Sequence, residues 1–202
     1  NCFVWNAKFN NVMAKMIKDA WPECTIVYGG WHPPTADRSQ GFFKKHPYVD
    51  IIVHGEGEIA FRDILVEKLS PEPIWEKVAG CSIPMRLVDE PIGLMTHDIK
   101  DSLRTIGQNS TEGLGELDTY VTPPRPRIQD IDVMPSPYLN GLFDQLVDNC
   151  PFELETTIET TRGCPYQCTF CEIGTKYYQK IKTNKLNKVF KEIDWISDNE
   201  VV

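Results

Sequence analysis

The sequence predicts an α/β protein in two parts, a parallel sheet covered on both faces by helices and, after it, one strand-loop-helix unit of a second α/β structure. Three observations carry the prediction. Short apolar runs alternate with helical stripes near the start of the chain, glycine pairs follow two of those runs, and three of the seven cysteines crowd into one loop between a strand and a helix.

The elements follow in order. Cys2 to Trp5 reads as the end of a buried strand, and from Asn6 the residues Phe9, Val12, Met13, Met16, Ile17 and Ala20 form a stripe that predicts a core-facing helix, stopped at Trp21-Pro22. Thr25 to Tyr28 is a second short strand and runs into Gly29-Gly30-Trp31-His32-Pro33-Pro34. A third, Asp50 to Val53, ends in His54-Gly55-Glu56-Gly57-Glu58, and a helix carrying Ile59, Ile64, Leu65 and Leu69 follows. In parallel sheets ligands sit beyond the carboxyl ends of the strands, where both glycine loops fall.

From about Ser70 to Asp130 the periodicity fades and prolines and glycines accumulate, with short strand candidates at Cys81 to Ile83 and Met85 to Val88. The expected division is residues 1–70 as a partial α/β domain, 71–150 as a linker with an insertion, and 151–202 as the start of a second domain. A short helix is expected at Gly141 to Val147, a strand at Phe152 to Thr161, and a helix capped by Asn184 with Leu186, Val189, Phe190, Ile193 and Ile196 on one stripe. The chain opens on Asn inside an apolar run and closes just after a helical segment, so an interior piece of a longer protein is expected.

Composition excludes several classes. Acids outnumber bases, 29 against 21 for a net charge of -8, so no broad nucleic-acid-binding face is expected. No apolar run is long enough to span a bilayer and no leader pattern opens the chain, so a cytoplasmic location and no membrane span are expected. An odd cysteine count argues against a secreted disulfide framework and for a reducing compartment.

The chemistry concentrates in Arg162-Gly163-Cys164-Pro165-Tyr166-Gln167-Cys168-Thr169-Phe170-Cys171. Three thiolates at C-x-x-x-C-x-x-C spacing can hold one metal centre, and an iron–sulfur cube held by three cysteines keeps one iron open to a substrate. Structural zinc competes, but zinc prefers paired C-x-x-C halves and a fourth ligand, and His32, His46, His54 and His97 are all distant in sequence.

At these residues the chain resembles the radical S-adenosylmethionine (SAM) superfamily, including the aromatic residue before the third cysteine. The resemblance implies a 4Fe-4S cluster on Cys164, Cys168 and Cys171, SAM chelated at the open iron with its adenine beside Phe170, and reductive cleavage of SAM to a 5'-deoxyadenosyl radical. It also implies an electron donor such as flavodoxin or ferredoxin. The Gly-Gly-x-His-Pro and Val-Asp-x-x-Val-x-Gly-Glu-Gly-Glu stretches, with Pro135-Ser136-Pro137-Tyr138-Leu139 downstream, are similar to the cobalamin-binding proteins of that superfamily. This makes Gly29, Gly30, Gly55, Glu56 and Gly57 the candidate cobalamin contacts.

The fold implied is a partial Rossmann-like cobalamin-binding domain followed by the first strand-loop-helix unit of a truncated radical SAM (β/α) barrel. The implied activity is methyl transfer to an unactivated carbon. Ring formation or rearrangement, and a non-enzymatic zinc-binding module, stand as alternatives. The D-x-H-x-x-G motif that ligates cobalt in some members would precede Asn1, and the second SAM-binding segment would follow Val202. The substrate is not legible.

Overall fold

The computed structural model describes residues 1–88, 118–171, 173 and 177–199. It divides into two compact units, Asn1–Pro126 and Arg127–Val202.

The first unit is built on a four-stranded sheet in the order β1 (Val27–Tyr28), β2 (Ile51–Val53), β3 (Cys81–Pro84), β4 (Thr119–Val121). β1 and β2 are parallel, with Val27 opposite Ile51 and Tyr28 opposite Ile52, whereas β2–β3 and β3–β4 are antiparallel. The sheet is therefore mixed, which corrects the all-parallel expectation. The chain returns directly from the second long helix into β3 and so runs back beside β2 instead of crossing over. Residues 81–84 and 119–121, which the sequence placed in a linker, are half of this sheet. The strand candidate Met85 to Val88 is instead a 3₁₀ turn over Met85–Leu87.

Alternation along β2 assigns its two faces. Ile51 and Val53 pack with Ala60 and Ile64 of α3 (Gly57–Lys68) and with Cys81, Ile83 and Tyr120. Ile52 turns the other way, onto Cys2, Ala7, Ala14, Tyr28, Phe43 and Val49, under α1 (Ala7–Ala20) and α2 (Phe42–Lys45). Burial on both faces explains why β2 reads as an unbroken apolar run.

α1 is a helix where predicted, but it is rotated. Ala7 and Ala14 face the sheet with Ile17 half-buried, while Phe9, Val12, Met13 and Met16 are exposed. Polar anchors set this orientation: the Tyr28 hydroxyl donates to Asn11 Oδ1 at 2.9 Å, and Lys18 Nζ pairs with Asp50 at 2.7 Å. Asp50, itself buried, also accepts from the Ile26 N–H at 2.8 Å and pairs with Arg86 at 3.1 Å. The expected strand at Cys2 to Trp5 is not one. Only Cys2 lies along the sheet edge, donating to Gly29 O at 2.7 Å and accepting from the His32 N–H at 3.1 Å, and the chain then turns into α1.

The second unit holds α4 (Asp144–Asn149), a two-residue ladder of β5 (Thr161–Arg162) with β6 (Lys182–Thr183), and α5 (Leu186–Asp198). α4 begins three residues later than expected because Gly141 turns at positive φ. Residues 153–159 alternate in exposure, yet residues 152–160 find no ladder partner among the described residues, so the expected strand at Phe152 to Thr161 shortens to Thr161–Arg162. Asn184 does not cap α5; its side chain donates to Glu159 O, while Asp132 accepts from the Lys185 N–H at 3.0 Å. Of the predicted stripe, Val189 is buried and Ile196 half-buried, while Leu186, Phe190 and Ile193 are exposed. Tyr138 is buried, donating to Thr157 O at 2.8 Å and packing 5.5 Å from the Trp195 ring. The described residues of this unit form no barrel.

Candidate functional site

In the first unit the parallel pairing of β1 and β2 sends both glycine loops off the same edge of the sheet. Gly30 has φ of 102°, and a Cβ there would stand 2.8 Å from Cys2 O and 3.1 Å from Cys2 N. Glycine at this position is thus required by the crossing of the chain's own backbone, a reason the sequence could not give. Gly29 and Gly57 are different: a Cβ on either meets Val53 at ordinary contact distance, 3.9 and 3.8 Å. Gly55 turns at φ 72°, buried Glu56 takes the N-cap position of α3, and Gly57 is its first residue.

Two groups the sequence did not bring together lie near this edge. His54 Nε2 is 2.7 Å from Ser82 Oγ, Ser82 Oγ donates to Ser39 Oγ at 3.1 Å, and Ser39 Oγ donates to Ala36 O. Since each hydroxyl has one proton, Ser82 must accept from a neutral His54 carrying its proton on Nε2. Burial lowers the pKa of His54 to about 4, against a smaller opposing pull from Asp37. In the same unit, Tyr28, His32, Arg38, Phe42, Lys45 and His46 line a cavity of about 310 Å³ with no carboxylate among its lining residues. Burial, and after it the charges of Lys45 and His32, lowers the pKa of His46. Arg38 and Lys45 carried no local signal in the sequence.

In the second unit the cysteine loop springs from the β5–β6 ladder. Its base is fastened by the Cys164 N–H, which donates to Tyr178 O at 3.0 Å, and by a turn in which the Cys171 N–H donates to Cys168 O at 3.1 Å. Gly163 has φ of 119°, and a Cβ there would meet Lys180 O at 2.7 Å and Tyr178 O at 2.9 Å, so only glycine fits.

Cys164 and Cys171 are half-buried, Cys168 is exposed, and all three are free thiols. Phe170 is 91% exposed. Among the described residues no three His, Cys, Asp or Glu side chains come close enough to hold a metal ion, these thiols included. The donor set nevertheless fits a cluster in type and number: three thiols on one loop, none in a disulfide, joined to the fold at the loop's base. Buried Cys81 is a different kind of thiol, its pKa pushed up to about 12 by desolvation, and is built for packing. No helix among the described residues is long and apolar enough to cross a membrane.

No protein-family model matches the chain. Among proteins of assigned function it is similar to the cobalamin-dependent radical SAM methyltransferase TokK of Streptomyces tokunonensis, 33% identical over 204 residues that cover 100% of this chain and 25% of that protein. It is similar, too, to the 2-(S-pantetheinyl)-carbapenam-3-carboxylate methyltransferase of Streptantibioticus cattleyicolor, 32% identical over 206 residues, again 100% of this chain and 25% of the relative. An uncharacterized methyltransferase of Pyrococcus horikoshii is 26% identical over 183 residues, 90% of this chain and 32% of its own length. The chain thus spans about a quarter of the length of the first two relatives.

Proposed function

The chain belongs to the cobalamin-binding radical SAM proteins, and from that premise we propose that it contributes the cobalamin-facing edge and the cluster loop of a methyltransferase acting on an unactivated carbon. The observation that carries the reading is the loop of three free thiols, Cys164, Cys168 and Cys171, set on a fastened base within a chain related along its whole length to such enzymes. On this reading residues 1–70 begin the cobalamin-binding unit and the region from 151 begins the radical SAM unit.

The roles divide by chemistry. Cys164, Cys168 and Cys171 would hold a 4Fe-4S cluster as thiolates, and the backbone at Phe170 would meet the adenine of SAM. Gly29, Gly30, Gly55, Glu56 and Gly57 face cobalamin from the shared carboxyl edge of β1 and β2. When bound, the cluster supplies a low-potential electron to SAM and cobalamin carries the methyl group. The protein's part is to ligate, to orient and to exclude water, with an electron donor such as flavodoxin or ferredoxin serving the cluster.

Anaerobic reconstitution of protein from the complete reading frame tests the reading. Iron and sulfide are expected to give a chromophore whose reduced spectrum changes on adding SAM, and Cys168→Ala is expected to abolish it. Uptake of one zinc with no iron or sulfide would replace the enzyme reading with a zinc-binding module.

A further inference from the structure

The base of the cysteine loop is closed by a residue outside every motif. Arg127 is 8% exposed, and its guanidinium donates to the carbonyl of Lys180 and, at 2.9 Å, to that of Arg162. These carbonyls stand on the two sides of the loop. Arg162 immediately precedes Gly163-Cys164, and Lys180 lies on the return toward β6. The same guanidinium lies 5.7 Å from the ring centroid of Tyr178, whose carbonyl accepts the Cys164 N–H.

The β5–β6 ladder is only two residues on each strand, too short to hold a loop in register by itself. A planar fork of donors reaching both sides is what arginine offers and lysine does not. Gly163 completes the arrangement, since its missing Cβ leaves room for the Lys180 and Tyr178 carbonyls and for Arg127 Nη2, which would stand 3.2 Å from a Cβ.

We propose that Arg127 is a positioning residue for the cluster, clamping the two ends of the cysteine loop so that the thiolates of Cys164, Cys168 and Cys171 close on one metal centre. The inference rests on the cluster reading above. Arg127 touches neither cluster nor SAM in this role; it acts through the carbonyls of Arg162 and Lys180.

The test compares Arg127→Met and Arg127→Lys with the parent protein, each expressed from the complete reading frame and reconstituted anaerobically. Three quantities are read: iron and sulfide per chain, the electron paramagnetic resonance spectrum of the reduced protein with and without SAM, and amide exchange at residues 161–164 before metal is added. Arg127→Met is expected to keep less than about a fifth of the parent's iron and sulfide and to exchange its Cys164 amide roughly tenfold faster, as loss of a two-pronged charged hydrogen bond implies. Arg127→Lys, able to serve one carbonyl at a time, should fall between the two.

Parental cluster content, spectrum and exchange in Arg127→Met overturn the proposal. If Arg127→Met does not fold, Arg127→Lys decides, and parental values in that variant overturn it equally. A parent that binds zinc and no iron defeats the cluster reading instead, while the exchange rates still judge the clamp.

Discussion

Replacing Gly163 by alanine perturbs the cysteine loop at its tightest point. The residue sits at φ 119°, where an L side chain is strained by about 1–3 kcal/mol. The added Cβ would also press on two backbone oxygens, Lys180 O at 2.7 Å and Tyr178 O at 2.9 Å, distances that real Cβ atoms do not tolerate. To relieve them the strand must shift, loosening the Cys164 N–H bond to Tyr178 and the Arg127 bonds to Arg162 and Lys180. Each such bond contributes about 0.5–1.5 kcal/mol. The combined cost is roughly 2–4 kcal/mol.

Hydrogen exchange read by mass spectrometry on peptides spanning 160–184 measures this locally. A loss of about 2 kcal/mol corresponds to roughly 30-fold faster opening of the amides of residues 161–164 and 182–184. Gly57→Ala is the control, because its Cβ meets only Val53 Cγ1 at 3.8 Å. It opens a helix and should be neutral or stabilising by up to about 1 kcal/mol. Exchange in Gly163→Ala within twofold of the parent would refute the reasoning.

Three further outcomes are expected. His54, whose folded pKa of about 4 lies below the ordinary value of 6.5, binds a proton more readily unfolded. The stability it contributes is therefore full above pH 6.5 and is lost as pH falls toward 4, by up to about 3 kcal/mol; His54→Gln should flatten that part of a pH-melting profile, and an unchanged slope would count against a buried neutral ring. Asp50→Ala strands Lys18, Arg86 and the Ile26 N–H together; the expected loss in urea unfolding is about 3 kcal/mol, at the low end for a broken buried pair because both cations keep some solvent contact. Asp132→Ala removes the acceptor at the start of α5 and should cost about 1 kcal/mol, seen as fraying of the amides from Lys185 to Val189.

Local signals were legible where the cause was local. β1, β2 and α3 stand close to where the apolar runs and glycine loops placed them, because a strand buried on both faces is uniformly apolar and a helix after Gly-Glu-Gly-Glu has a sharp start. The cysteine loop was found for the same reason. α1 shows the limit: periodicity identifies a helix, but which face packs depends on the partner surface. Here small Ala7 and Ala14, steered by Asn11 and Lys18, face the sheet in place of the bulkier stripe.

The strand candidate Cys81 to Ile83 is β3, but its place in this sheet and the whole of β4 were not legible, because the pairing of Ser82 with Val121 and Pro84 with Thr119 spans a long stretch with no period of its own. Arg127 and Gly30 were not interpretable either. The first acts on carbonyls 35 and 53 residues away, and the second yields to the backbone of Cys2. The strand candidates up to Val88 lie within the described residues, whereas His97 and the rest of residues 89–117, part of the expected linker, lie outside them.

The outward apolar flank of α1 has a practical consequence. Phe9, Val12 and Met16 are all more than half exposed along one side of a helix whose opposite side is already committed to the sheet, and Trp5, in the turn just before it, is exposed as well. A patch of this kind holds its water badly. Produced in isolation, the 202-residue chain should bind environment-sensitive dyes while still folded, elute late from hydrophobic columns and self-associate as its concentration rises. Charged replacements at Phe9 and Met16 would make it tractable without touching either the glycine loops or the thiols.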